Sequence, residues 1–201
     1  MYKRWIESMQ LHAQAIDSAT DFLIHNKDLD CLMNFIKQSK SLFFTGVGKN
    51  KDLMYKISKT YNSVSIKSNF IDPIDAVHGD IGMVSDESSI IASSKSGTTA
   101  ELINFFVKLK QNKNVKIFLL HCNKNIPPEV LNILDYSLYI PIKKEADHLN
   151  MIPTVSLAVM EVVLHSCACQ IIEDNNFTIE DLYINHPSGN IGDICKMKSR
   201  I

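Results

Sequence analysis

The chain has 201 residues, of which 45% are hydrophobic and 21% are charged, a length and composition that suit one globular domain and exclude a disordered or fibrous chain. Lys plus Arg number 21 and Asp plus Glu number 22, so the formal net charge is −1. This balance excludes the overall basic field of a nucleic-acid-binding protein, and any anionic ligand must be bound by local groups.

The N-terminal segment and the apolar stretches predict neither a secretory signal nor a membrane span. No apolar run follows the basic residues at positions 3 and 4. The longest apolar stretch, 152–172, contains Pro153, Glu161 and His165, and a charge near the centre of a span is rare. The five cysteines are scattered and odd in number, which is typical of reduced thiols. We therefore expect a cytoplasmic protein with no membrane partner.

Helical and strand-like patterns alternate along most of the chain. In chain order they predict helices at 3–25 and 28–38, a strand at 41–45, a helix at 49–61, strands at 63–71 and 88–93, a helix at 98–111, a strand at 115–121, a helix at 127–134, a strand at 136–140 and a helix at 153–174. Strands that alternate with helices favour parallel pairing through right-handed crossovers.

The predicted fold class is therefore α/β: a doubly wound three-layer α/β/α sandwich, flavodoxin-like, with a five-stranded parallel sheet preceded by N-terminal helices. We expect a single domain over 1–201. Its helices at 1–40 would precede a ligand-binding core at 41–192.

A glycine-rich loop follows the first predicted strand. Gly46 and Gly48 precede Lys49, which begins a predicted helix. A dinucleotide-binding fingerprint needs a third glycine at position 51, and a P-loop needs Ser or Thr after the lysine, so neither nucleotide motif is present. The residues alone allow two interpretations of Lys49: an anion-binding residue at a helix start, or a solvated side chain.

A hydroxyl-rich loop follows the third predicted strand and opens a helix. Its sequence is Ser93-Ser94-Lys95-Ser96-Gly97-Thr98-Thr99. Free backbone N–H groups and the positive end of a helix dipole meet several hydroxyls here, and this combination binds a phosphate monoester. Capping of the helix is the alternative, although it needs a single hydroxyl. The pattern therefore favours a phosphate site.

Residues 94–99 resemble the phosphate loop of sugar isomerase (SIS) domains, which have the doubly wound architecture predicted above. Other segments are similar to the D-arabinose 5-phosphate isomerase branch of that family: Gly46-Val47-Gly48-Lys49, Ala76-Val77-His78-Gly79-Asp80-Ile81-Gly82-Met83, Lys144-Glu145-Ala146 with Pro153-Thr154, and Asn185-His186-Pro187-Ser188-Gly189. Many members carry C-terminal CBS modules, and the chain resembles the short forms that consist of the SIS domain alone.

The resemblance implies an aldose–ketose isomerase that interconverts D-ribulose 5-phosphate and D-arabinose 5-phosphate through an enediol, for synthesis of Kdo in lipopolysaccharide or capsule. It implies a sugar-phosphate substrate, no cofactor or metal, no nucleic-acid partner, and a homotetramer or dimer with shared active sites. Two alternatives stay open: an isomerase of another ketose phosphate, and a non-catalytic regulator that binds a sugar phosphate.

The same resemblance implies the site residues. The phosphate contacts are Ser94, Ser96 and Thr99, with Thr98 as a further contact, and the substrate-binding loops contain Gly46, Gly48 and Gly97. The expected active-site residues are Lys49, Glu101, Glu145 and His186, with His78 as a second imidazole.

Each active-site residue has an expected role and, in two cases, an alternative. Glu145 is expected to be the base at C2, His186 to relay protons on oxygen, and Lys49 to stabilise the enediolate. The alternative for Glu101 is a carboxylate that stabilises the helix through its dipole. The alternative for His186 is a solvated loop residue without a catalytic role. Where the branch usually has Ser-Gly, this chain has Asn50-Lys51, and we expect Lys51 to add a charge near the sugar phosphate.

Overall fold

A computed structural model describes residues 2–199, so positions 1, 200 and 201 of the predicted domain lie outside it. The strands are β1 (Leu42–Gly46), β2 (Ser68–Phe70), β3 (Ser89–Ser94), β4 (Lys116–His121) and β5 (Tyr136–Tyr139). They form one sheet in the order β2-β1-β3-β4-β5, and every neighbouring pair is parallel. The predicted five-stranded parallel sheet is confirmed.

The helices are α1 (Lys3–Leu23), α2 (Lys27–Lys37), α3 (Lys49–Ser63), α4 (Pro73–Ala76), α5 (Ala100–Asn112), α6 (Pro128–Leu131), α7 (Val155–Asp174), α8 (Ile179–Asn185) and α9 (Gly189–Ser199), with a 3-10 turn at Asp80–Met83. Most of them follow the predicted alternation, so each strand is connected to the next through a helical segment.

The sheet separates two hydrophobic cores, because successive side chains of a strand point to opposite faces. Leu42 and Phe44 of β1 are buried with residues of α1, α2, α3 and α7. Phe43, between them, is buried on the other face with residues of α4, α5 and α6. The three-layer α/β/α sandwich is therefore confirmed.

Helix α7 is long and apolar enough, by length and composition alone, to cross a membrane. Half of that stretch is buried inside the fold, where α7 packs against α1 and α3. Tyr61 of α3 is fully buried and donates a hydrogen bond of 2.8 Å from its hydroxyl to the carbonyl of Leu164 in α7. These contacts are those of a core helix.

The structure differs from the sequence prediction after residue 174, where the pattern predicted no further element. Helices α8 and α9 pack against each other, and α8 also contacts α3. Gly189 and Gly192 belong to α9. A Cβ on Gly192 would lie 2.8 Å from the carbonyl oxygen of His186, so this glycine permits the close approach of α9 to the turn before it.

Candidate active site

The carboxyl ends of β1, β3 and β4 meet at one edge of the sheet, where ligands bind in open α/β folds. A cavity of about 440 Å³ opens there. Its lining residues are Asn50, Ser94, Lys95, Ser96, Thr99, Cys122 and Asn123. Three of them are predicted phosphate contacts; the other four were not assigned from the sequence.

Three hydroxyl groups converge at the start of α5. The Oγ of Ser94 lies 2.9 Å from the Oγ1 of Thr99 and 3.5 Å from the Oγ of Ser96. The N–H groups of Gly97 and Thr98 donate to the hydroxyls of Ser94 and Ser96, each at 3.1 Å. Because the N-terminus of α5 adds its positive dipole, the cluster has the chemistry of a phosphate-binding site.

The backbone of this loop is fixed from several sides. Gly97 has a φ of +70°, and a Cβ on it would lie 2.6 Å from the Cδ1 of Ile126. The N–H of Cys122 donates to the carbonyl of Lys95, and the side-chain amide of Asn123 donates to the carbonyl of Ser96, both at 3.0 Å. These hydrogen bonds from the segment after β4 fix the backbone of the loop that contains the hydroxyl cluster.

The first glycine loop lies beside this cluster. Helix α3 begins at Lys49, whose side chain is exposed, after Gly48 with a φ of +60°. The Oγ of Ser93 donates to the Oδ1 of Asn50 at 2.8 Å. A Cβ on Gly46 would lie 2.9 Å from Asn50, so the glycine permits the tight turn that brings the two loops together.

The sequence predicted that Lys51 adds a charge near the sugar phosphate. In the structure this charge is paired. The Lys51 ammonium forms an ion pair with Asp72, the residue that caps the N-terminus of α4. A hydrogen bond from this ammonium lowers the pKa of Asp72 against the effect of its burial. The ion pair between Lys51 and Asp72 thus connects α3 to the loop after β2.

Glu145 is enclosed rather than open to a ligand. Its side chain has no exposed surface, and it accepts hydrogen bonds from the backbone N–H and hydroxyl of Thr154 at 2.8 and 3.1 Å. The N–H and hydroxyl of Ser156 donate to it at 3.2 and 2.5 Å, and the Lys95 ammonium lies 2.9 Å from its Oε1. Glu145 therefore caps the N-terminus of α7.

This environment determines the acidity of Glu145. Burial alone would raise the pKa of the carboxyl group, but the bonds from Lys95, Ser156 and Thr154 outweigh it and lower the pKa to about 2. A carboxylate that is so weakly basic and already bound by five donors is poorly suited to remove a proton from carbon. The role of Glu145 as the base at C2 stays a prediction, and within one copy its contacts are those of a carboxylate that caps α7.

Glu101 and His78 are exposed near the same edge of the sheet. Glu101 lies in the first turn of α5, two residues after the hydroxyl of Thr99. His78 follows α4, which packs against α5. Both side chains are accessible to solvent, although neither is among the residues that line the 440 Å³ cavity.

His186 lies at the other end of α3. The neighbouring Asn185 donates from its side-chain amide to the carbonyl of Ser63 and the hydroxyl of Ser65, at 3.1 and 2.8 Å. Fourteen helical steps separate Lys49 from Ser63, or roughly 21 Å. One protomer therefore does not bring His186 to the hydroxyl cluster. Within residues 2–199, the Nδ1 of His186 is buried without a hydrogen-bond partner.

Among the described residues, no group of three His, Cys, Asp or Glu side chains is placed to hold a metal ion. A larger cavity, of about 760 Å³, lies between α1, α2 and α7 and is lined mostly by apolar side chains. The smaller cavity is the better candidate because its polar groups converge.

Comparison with known proteins identifies the family. Residues 35–168 match the family described as the SIS domain. An uncharacterised protein of Rickettsia prowazekii is 31% identical over 186 residues, which are 90% of this chain and 57% of that protein. Arabinose 5-phosphate isomerase KdsD of Pseudomonas aeruginosa is 32% identical over 147 residues, 73% of this chain and 44% of that enzyme.

One solved structure extends the comparison. Escherichia coli CFT073 c3406, in complex with arabinose 5-phosphate, superposes with a TM-score of 0.81 at 27% identity, over 93% of this chain and 100% of that chain. The chain itself spans about half the length of the curated relatives it matches, 57% and 44% in the two cases above.

Proposed function

Because the chain belongs to the SIS domain family, we propose that it is a sugar-phosphate isomerase that interconverts D-ribulose 5-phosphate and D-arabinose 5-phosphate. The observation that carries this proposal is the convergence of the Ser94, Ser96 and Thr99 hydroxyls at the N-terminus of α5. The substrate assignment is supported by the Pseudomonas enzyme and by the Escherichia coli complex with arabinose 5-phosphate.

The phosphate group would anchor the substrate. Its oxygens would accept hydrogen bonds from the hydroxyl cluster and the first backbone N–H groups of α5. Thr98, which is exposed beside Ser96, is proposed as a further contact. With one end of the sugar anchored, the carbonyl end would be approached by Lys49, Glu101 and His78, whose side chains are exposed.

The reaction moves one hydrogen between two carbons. A base removes the proton from C1 of the ketose and returns it to C2, while a second proton moves from O1 to O2. We assign the base to Glu101, since it is the exposed carboxylate next to the phosphate loop. The Lys49 ammonium would stabilise the enediolate, and an imidazole would relay the proton between the oxygens.

His186 would act from a second copy of the chain. It lies at the far end of α3 from Lys49, so its own protomer cannot deliver it to the phosphate loop. A homotetramer or dimer with shared sites would bring the imidazole of one copy to the cavity of another. His78 is the imidazole that a single copy already offers.

The pathway and compartment follow as further parts of the proposal. D-arabinose 5-phosphate would supply synthesis of Kdo for lipopolysaccharide or capsule, in the cytoplasm. Because the match covers only about half of these longer relatives, their activity is part of the proposal for this chain.

A non-catalytic regulator that binds a sugar phosphate is the second candidate. The observation that favours it is that the hydroxyl cluster is formed within one copy, whereas His186 is distant and Glu145 is enclosed. Such a protein would bind D-ribulose 5-phosphate without converting it.

The experiment is proton NMR of purified protein with D-ribulose 5-phosphate in D₂O. Formation of arabinose 5-phosphate with deuterium at C2 would support the isomerase and its enediol route. Binding without turnover would replace it with the regulator. Turnover of a hexulose or heptulose phosphate instead would retain the isomerase class and change the substrate.

A further inference from the structure

The cavity beside the hydroxyl cluster offers one full positive charge. Among the described residues that line it, Lys95 carries an ammonium, whereas the others present hydroxyl, amide or thiol groups. A phosphate monoester carries between one and two negative charges at neutral pH. Lys95 is therefore the lining residue whose charge would attract a phosphate group.

The Lys95 ammonium is anchored at the rim of the cavity. Its Nζ lies 2.9 Å from the Oε1 of Glu145, and its side chain is 38% exposed while that of Glu145 is fully buried. An ammonium has three N–H donors, and the contact with Glu145 uses one of them. The ammonium has two further donors, and because the side chain is partly exposed a phosphate oxygen can reach it.

The carboxylate of Glu145 is fixed by α7 as well as by Lys95. Four of its five donors belong to Thr154 and Ser156, at the N-terminus of α7. The positive end of that helix dipole also favours the carboxylate. Glu145 therefore holds Lys95 in place through an ion pair, while the donors of α7 fix the position of the carboxylate.

We propose that Lys95 is a phosphate-binding residue of this site and that Glu145 is the positioning residue that holds its ammonium at the cavity. The inference rests on the proposed function for the identity of the sugar, and on the geometry for the phosphate. It assigns Glu145 to substrate affinity instead of proton transfer.

The test uses the full chain and two readouts: KM and kcat for D-ribulose 5-phosphate, and binding of inorganic phosphate followed by ³¹P NMR. Lys95→Met removes the charge and keeps the aliphatic stem. Lys95→Arg restores a charge, and Glu145→Gln removes the anchor at constant size. Lys143→Met, at an exposed lysine near Glu145 in sequence, is the matched control.

Lys95→Met is expected to raise KM and the Kd for phosphate about 10- to 100-fold, the worth of a charge-assisted hydrogen bond, with kcat changed less than about threefold. Lys95→Arg should recover most of the affinity. Glu145→Gln should also raise KM and the phosphate Kd, and the double variant with Lys95→Met should be no weaker than Lys95→Met alone, because both changes remove the same contact.

Two results would overturn the inference. One is an unchanged phosphate Kd in Lys95→Met. The other is a loss of kcat of about 100-fold or more in Glu145→Gln at unchanged KM, which would make Glu145 the base. If Glu145→Gln does not fold, the two Lys95 variants still decide the matter. A wild-type protein that binds phosphate through Lys95 but does not turn over the sugar would refute the proposed function alone.

Discussion

Gly97→Ala should destabilise the protein more than an ordinary change from glycine to alanine. The backbone there has a φ of +70°, which costs an alanine about 1–2 kcal/mol. The new methyl group would also lie 2.6 Å from the Cδ1 of Ile126, and such overpacking costs about 1–3 kcal/mol. Together we expect a loss of about 2–5 kcal/mol in the free energy of unfolding.

Gly189→Ala is the matched control. Gly189 has a φ of +71° but nothing within 4 Å of its Cβ position, so only the backbone cost of about 1–2 kcal/mol applies. Adding Ile126→Val to each variant, with unfolding followed in urea, completes two double-mutant cycles. We expect a coupling of about 1 kcal/mol between positions 97 and 126 and none between 189 and 126. Equal losses in the two glycine variants, with no coupling to position 126, would refute the reasoning.

Three further predictions concern the phosphate loop, the core and the buried carboxylate. Ser96→Ala should raise KM for a sugar phosphate about 10-fold with little change in kcat, since one hydroxyl bond to a charged group is lost; an unchanged KM would remove Ser96 from the site. Tyr61→Phe should lower the free energy of unfolding by about 1 kcal/mol, measured in urea, because the hydroxyl bond to Leu164 is lost. The stabilising contribution of Glu145, whose pKa falls from 4.5 to about 2 on folding, should be complete above pH 4.5 and disappear as pH falls towards 2. Unfolding curves at pH 7, 4 and 3 should therefore show a decline that is smaller in Glu145→Gln.

The sheet was predictable because its strands are apolar runs separated by loops that contain the turn residues. The two site loops were predictable for the same reason, since Gly46 ends β1 and Gly97 lies three residues after the end of β3. Strand β2 was predicted too long, because α3 continues to Ser63 and the chain must turn before pairing.

Helices α8 and α9 could not be recognised from hydrophobic periodicity, because α8 has no buried residue and α9 has two. One local signal was present: Thr178 and Asp181 form a capping box at the start of α8. The enclosure of Glu145 had no such signal, since its donors are Thr154, Ser156 and the distant Lys95. Contacts of that kind depend on how α7 packs across the sheet.

The length of α3 has a genetic consequence under the proposed shared site. Lys49 at its start and His186 near its end would serve different cavities, so a copy without Lys49 would still donate an imidazole to its neighbour. A copy without His186 would still offer an intact phosphate loop. Two alleles that are each inactive would thus restore part of the activity when expressed together, whereas a copy with both defects would serve neither its own cavity nor that of its neighbour.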